Sequence, residues 1–146
     1  MIITCGTVLV DKNGSILLAH PTGSGKNTWS IPKGIHDKTD KSYLDTAIRE
    51  FLEETSIDIS NTELIEVGDY TYPNGIKVLK GFYGSYDKVI DITKLKCTSM
   101  VSPKKNRLGG FPEVDGYMLL EKPYDLSNLH VTQVALICDI LKSVMG

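Results

Sequence analysis

The sequence predicts an α+β fold on three observations. Runs rich in β-branched and apolar residues recur between turn signals, two segments carry helical spacing, and no segment repeats. The 146 residues suit one domain, 1–146, at roughly 100 to 200 residues per domain. Ile2 to Val10 and Ile16 to His20 read as strands, joined by Asp11-Lys12-Asn13-Gly14, whose Asn-Gly suits a tight hairpin. Pro21 to Asn27 is a polar, glycine-containing loop, and Trp29 to Pro32 a short strand ended by its proline. Ser42 to Thr55 is the clearest helix: Ser42 caps it, Asp45 follows in a capping-box pattern, and Leu44, Ala47, Ile48, Phe51 and Leu52 form an apolar stripe. Leu64 to Tyr72 and Ile76 to Tyr86 form a second hairpin around Pro73-Asn74-Gly75. Val89 to Leu95 and Gly116 to Leu120 read as further strands, Ser102 to Gly110 as a basic loop, and Val131 to Val144 as a C-terminal helix.

Composition narrows the function classes. Apolar residues are 41% and charged residues 23%, and 16 basic against 18 acidic residues leave a net charge of −2. A general nucleic-acid coat would be basic. No apolar run approaches the roughly 20 residues of a membrane span. The start, Met1 to Gly6, lacks the basic flank and cleavage site of a signal peptide. Cys5, Cys97 and Cys138 are far apart and odd in number, which fits reduced thiols and a cytoplasmic setting better than disulfides or zinc.

The chemistry gathers on the first helix. Glu50, Glu53 and Glu54 stand at i, i+3 and i+4, so they share a face, and that face points away from the Leu44/Ile48/Phe51 stripe. Like charges at these spacings repel by a few tenths of a kcal/mol per pair. Solvent and Arg49 can offset that on an ordinary helix; a hard divalent cation with oxygen ligands does so more strongly. Upstream, Trp29-Ser30-Ile31-Pro32-Lys33-Gly34 ends in a glycine that permits close backbone approach.

Together, Gly34 and Arg49-Glu50-Phe51-Leu52-Glu53-Glu54-Thr55-Ser56-Ile57 resemble the Nudix hydrolase box: G, five residues, E, seven residues, then R-E-U-x-E-E-x-G-U with U apolar. Three positions depart from it. Gly34 precedes Arg49 by fifteen residues instead of fourteen; Lys41 stands at the expected glutamate, with Asp40 beside it as a stand-in; and Ser56 replaces the glycine after the helix, where a left-handed residue is favoured.

The resemblance implies a Nudix-like α/β/α sandwich around a mixed β-sheet, and metal-assisted hydrolysis of a nucleoside diphosphate derivative with Mg²⁺ or Mn²⁺. Glu53 and Glu54 would be metal ligands, Glu50 a further ligand or the base, the Lys33 carbonyl another ligand, and Arg49 the residue that orients the carboxylates. Phe111-Pro112-Glu113-Val114-Asp115-Gly116 resembles a late-strand motif of the same family, with Glu113 reaching the metal site as base or ligand. The Trp29-to-Gly34 opening most resembles diadenosine tetraphosphate hydrolases, which favours dinucleoside polyphosphates over NTPs, ADP-ribose or an RNA 5′ end. Tyr72 and Pro73 together leave the family's substrate marker undecided. A non-catalytic nucleotide sensor of the same fold is the rival class.

Other residues are candidates for contacts only. Lys104, Lys105 and Arg107 suit distal phosphates. Tyr70, Tyr72 and Tyr117 suit stacking on a base, although packing is the commoner role. Gly23-Ser24-Gly25-Lys26-Asn27-Thr28 fails the phosphate-loop pattern. His20, His36 and His130 have no metal spacing; His36 is a weak candidate for phosphate contact and His130 a residue at a helix start.

Overall fold

A computed structural model describes residues 1–101 and 110–143. Among the described residues, eight strands and two α-helices follow one another as β1 (Ile2–Val10), β2 (Ile16–Pro21), β3 (Lys33–Ile35), α1 (Tyr43–Thr55), β4 (Leu64–Thr71), β5 (Lys77–Ser85), β6 (Met100–Val101), β7 (Phe111–Pro112), β8 (Val114–Leu120) and α2 (Val131–Ser143). The main sheet runs β4-β5-β1-β2-β8, with β3 beside β1, and β6 and β7 form a separate ribbon. The sheet is mixed: β1 and β5 are parallel from Ile2↔Lys77 to Val10↔Ser85, and the other pairs are antiparallel.

Strand alternation sorts the core into two layers. Cys5, Leu9 and Leu17 face α1, where they meet Ala47 and Phe51, with Ile59 from the segment after the helix. Val8, Val10, Ile16, Leu18 and Leu79 face α2 and meet Leu136, Ile137 and Ile140. The expected sandwich is therefore present. Both tight turns carry the expected left-handed glycines, Gly14 and Gly75, at φ of 82° and 73°.

Three elements differ from expectation. Trp29 to Pro32 is not a strand: only Ser30 bridges to Ala19, and β3 starts after the proline, at Lys33. Pro32 has no N–H for a ladder, so pairing resumes only beyond it. Val89 to Leu95 contains a short 3₁₀ turn at Ile92–Lys94 in place of a strand, because the Asp91 carboxylate accepts from the Thr93 N–H and hydroxyl. On α1, Leu44 and Leu52 are exposed while Thr46, Glu50, Glu54 and Thr55 are buried. The apolar stripe is narrower than the sequence pattern, and the acidic face turns into the protein instead of toward water.

Candidate active site

α1 begins where Ser42 Oγ accepts the Asp45 N–H at 3.0 Å. It ends at Ser56, left-handed at φ 67°, whose N–H donates to the Leu52 carbonyl. Between these caps Arg49 holds its neighbours in a fork. Its Nε and Nη2 donate to Asp40 at 2.9 and 2.8 Å, and Nη1 donates to Glu50 at 2.9 Å and Glu53 at 3.3 Å. Asp40 lies six residues after Gly34, the spacing the box gives its glutamate, so the extra residue falls beyond it, and its carboxylate accepts from the Arg49 guanidinium. The guanidinium holds the Asp40 carboxyl well below the usual carboxylate range.

Glu50 and Glu54 are each only 7% exposed, and their carboxylates converge with that of Glu113 from the strand side: one oxygen from each lies within 4.8 Å of the others. Burial pushes the Glu54 carboxyl up to about 8, with Glu50 adding to the effect; Glu50 is also raised by burial, against the pull of Arg49. Two acids held out of water beside a third carboxylate make a set of hard oxygen donors suited to a divalent cation. Gly34 leaves the room for the Glu50 carboxylate, since a Cβ there would stand 1.9 Å from its carboxyl carbon. The Lys33 N–H donates to Glu54 at 3.2 Å, and Tyr117 on β8 donates its hydroxyl to the Glu54 carbonyl at 2.5 Å.

Glu113 is less free than a loop residue. It sits between β7 and β8, where its N–H donates to the Ser99 carbonyl and its carbonyl accepts from Thr22, both at 2.9 Å. The carboxylates open onto a cleft of ≈ 730 Å³ that also includes Lys33, His36 and Thr4. A second cavity of ≈ 460 Å³ shares Pro21, Ser30, Lys33 and Lys77 with the cleft and adds Trp29, Tyr72 and His130.

The sequence candidates thus separate. Arg49, Glu50, Glu54, Glu113 and Lys33 come together. Glu53 is not in the three-carboxylate group and joins it only through Arg49. Tyr72 lines the second cavity with its ring already engaged, stacked on His130 at 4.6 Å and beneath the Lys77 ammonium at 4.9 Å. Tyr70 donates to Asp139 and Tyr117 to Glu54, so both are packing groups with no free hydroxyl proton. His36 lines the cleft with Nδ1 bonded to Thr46, whose hydroxyl donates to Asp40. His20 bridges Asp115 and the Gly25 carbonyl, which ties down the loop after β2. Lys104, Lys105 and Arg107 lie outside the described residues. Sequence reasoning missed Lys77 and discounted His130 for the second cavity. The available signal for Lys77 was its place two residues before Leu79, a lysine on the core-facing side of a buried strand.

Comparison with known proteins agrees with this geometry. The family model described as NUDIX domain matches residues 2–90. An uncharacterized 17.7 kDa protein of Enterobacteria phage T4, from the e–segB intergenic region, is 29% identical over 127 residues, 82% of each chain. An RNA pyrophosphohydrolase of Pelagibacter ubique is 41% identical over 64 residues, which cover 44% of this chain and 39% of the relative. The crystal structure of a C. elegans Ap4A hydrolase binary complex superposes with a TM-score of 0.70 at 17% identity, covering 100% of this chain and 99% of that one. With the family match over more than half its length, and the carboxylates of the box gathered in one cleft, the chain belongs to the Nudix family and is a nucleotide pyrophosphohydrolase.

Proposed function

We propose that the chain hydrolyses a pyrophosphate bond in dinucleoside polyphosphates, with Mg²⁺ or Mn²⁺ bound chiefly by Glu50 and Glu54, and Glu113 facing them as the base. The convergence of those three carboxylates beneath a cleft connected to a partly aromatic cavity carries this reading. Glu53, held by Arg49, and the carbonyl of Lys33, whose N–H donates to Glu54, would be further donors. A bound divalent cation would neutralise the pyrophosphate and stabilise charge on the attacking and leaving oxygens. Arg49 keeps Glu50 and Glu53 in place and is itself fixed by Asp40. Glu113 takes the proton of the attacking water: it is less buried than Glu50 and Glu54, and its fixed backbone keeps the carboxylate at the cleft. The partial likeness to an RNA pyrophosphohydrolase supports a second substrate, the triphosphate end of RNA.

The test is a panel of diadenosine tetraphosphate, NTPs, ADP-ribose and triphosphorylated RNA, with each metal and with EDTA, read by chromatography of products. Fastest turnover is expected for the dinucleoside polyphosphate and none in EDTA; faster cleavage of another member transfers the substrate to it. For the base, Glu113→Gln is expected to lose rate with little change in metal affinity, and Glu50→Gln to lose both. Near-normal turnover in Glu113→Gln returns the role to Glu50.

A further inference from the structure

The end of α1 is bound to the stretch of chain that carries Glu113. The last carbonyls of a helix have no partner within it. In α1 the Leu52 carbonyl is taken by the Ser56 N–H, and the next three are met from the far part of the chain. The Thr98 and Ser99 N–H groups donate to the Glu53 carbonyl at 2.7 and 3.3 Å, the Tyr117 hydroxyl to the Glu54 carbonyl at 2.5 Å, and the Lys96 N–H to the Thr55 carbonyl at 3.4 Å. Ser99 also reaches the other way: its carbonyl accepts the Glu113 N–H at 2.9 Å, and the Cys97 thiol donates to the same oxygen at 3.3 Å. Glu113 is thus tied to α1 through Ser99 on one side and, four residues further along the chain, through Tyr117 on the other. Glu54 faces this stretch at both ends. Its carboxyl group converges with that of Glu113, while its main-chain carbonyl takes the Tyr117 hydroxyl. The Tyr117 ring packs against the Leu9, Leu17 and Phe51 cluster, and burial pushes the phenol up to about 12, so the hydroxyl keeps the proton it donates.

We propose that Tyr117 is a positioning residue for hydrolysis: by holding the Glu54 carbonyl it fixes the distance from the metal carboxylates on α1 to Glu113. This rests on the reading of Glu113 as the base. Glu50 and Glu54 lie on one helix, so the spacing between those two does not need Tyr117. The spacing from them to Glu113 spans two elements, and there a misplacement of about 1 Å can lower a rate by as much as 10²-fold. The ties through Lys96 and Ser99 are main-chain bonds, open to any residue with an N–H. The Tyr117 tie depends on a side-chain hydroxyl, and so on the residue type. Tyr117 therefore acts on the rate through Glu113 and leaves the metal ligands as they are.

The experiment measures kcat, KM and Mg²⁺ affinity for the full chain, Tyr117→Phe, Glu113→Gln and the double variant, on whichever member of the substrate panel is cleaved fastest. Tyr117→Phe is expected to lower kcat roughly tenfold, with KM and Mg²⁺ affinity close to wild type. In the Glu113→Gln background the same substitution is expected to add no further loss, since a positioning group acts only through the group it positions. Tyr117→4-aminophenylalanine, which returns an N–H donor at the same place, is expected to recover most of the rate. Tyr117→4-fluorophenylalanine keeps the ring volume without a donor and is expected to match Phe, which gives a second reading of the loss. Tyr70→Phe is the control: it removes a phenol hydroxyl that bonds β4 to α2 through Asp139. It is expected to lower the melting temperature by a few degrees, as Tyr117→Phe does, but to leave kcat unchanged. Wild-type kcat in Tyr117→Phe overturns the proposal, and so does a full further loss in the double variant, which would leave Tyr117 a structural residue only. Near-normal turnover in Glu113→Gln alone is a separate signal: it withdraws the base assignment, and this role of Tyr117 with it.

Discussion

α1 and α2 are both 13 residues long and cover opposite faces of one sheet, yet they spend their buried surface differently. α2 buries Leu136, Ile137 and Ile140, with Thr132 and Gln133 as its buried polar side chains. α1 buries Ala47 and Phe51 but also Thr46, Glu50, Glu54 and Thr55. Both helices grip the segment that crosses between them: Gln133 accepts from the Ile31 N–H at 2.9 Å, and Glu54 from the Lys33 N–H at 3.2 Å. Both ends of the Gln133 amide hold that segment, since its NH₂ donates to Ser30. The Glu54 carboxylate keeps lone pairs for a cation. One helix stabilises the fold, and the other gives up apolar burial to assemble a site.

The contrast breaks most sharply with paired substitutions on the two faces. Gly34→Ala drives a methyl into the Glu50 carboxylate and is expected to lower turnover by roughly 10²-fold or more, as misplacements of about 1 Å do. Leu136→Ala is expected to cost about 2–5 kcal/mol of stability, as core truncations do, with the activity of each folded molecule retained. Denaturant melts and single-turnover rates on both variants separate the effects. A stable, active Gly34→Ala would show that the Glu50 position is not required.

Glu54→Gln sharpens the same comparison. Turnover is expected to fall by orders of magnitude, while stability without metal holds or rises. The sign follows from the carboxyl raised from 4.5 to about 8. The folded protein keeps a proton that the unfolded chain releases, so this contribution is full below pH 4.5 and is lost as pH climbs toward 8. In EDTA the wild-type melting temperature should therefore fall more steeply over that window than that of Glu54→Gln. Mg²⁺ should flatten the wild-type profile and leave the variant's nearly unchanged. Parallel profiles would show that Glu54 is ionised without the metal.

The smallest expected effect is at the end of α1. Ser56 holds φ 67°, a region costing a non-glycine residue roughly 1 kcal/mol or more, so Ser56→Gly should raise the melting temperature by a few degrees. Activity should hardly change. A lower melting temperature would mean that the bond from the Ser56 hydroxyl to the Thr55 carbonyl outweighs the strain.

The amino-acid sequence alone makes legible the helices, the two hairpins and the box of Arg49, Glu50, Glu53 and Glu54, because capping, periodicity and turn chemistry are local and leave a readable pattern. It also marked Glu113, though only as part of a motif. Tertiary structure decided which carboxylates meet. Helical spacing treats Glu50, Glu53 and Glu54 as equals, but the roll of α1 on the sheet buries Glu50 and Glu54 beside Glu113 and leaves Glu53 on Arg49. Tertiary structure likewise chose Asp40 over Lys41, since only the folded loop brings one of them to the guanidinium. It made the ties between α1 and the Glu113 stretch as well: Glu53 and Ser99 are 46 positions apart in sequence and Glu54 and Tyr117 63, and only the folded chain brings them together. Local chemistry is written in neighbouring residues, whereas convergence depends on strand register and helix roll, which the packing of the whole core sets.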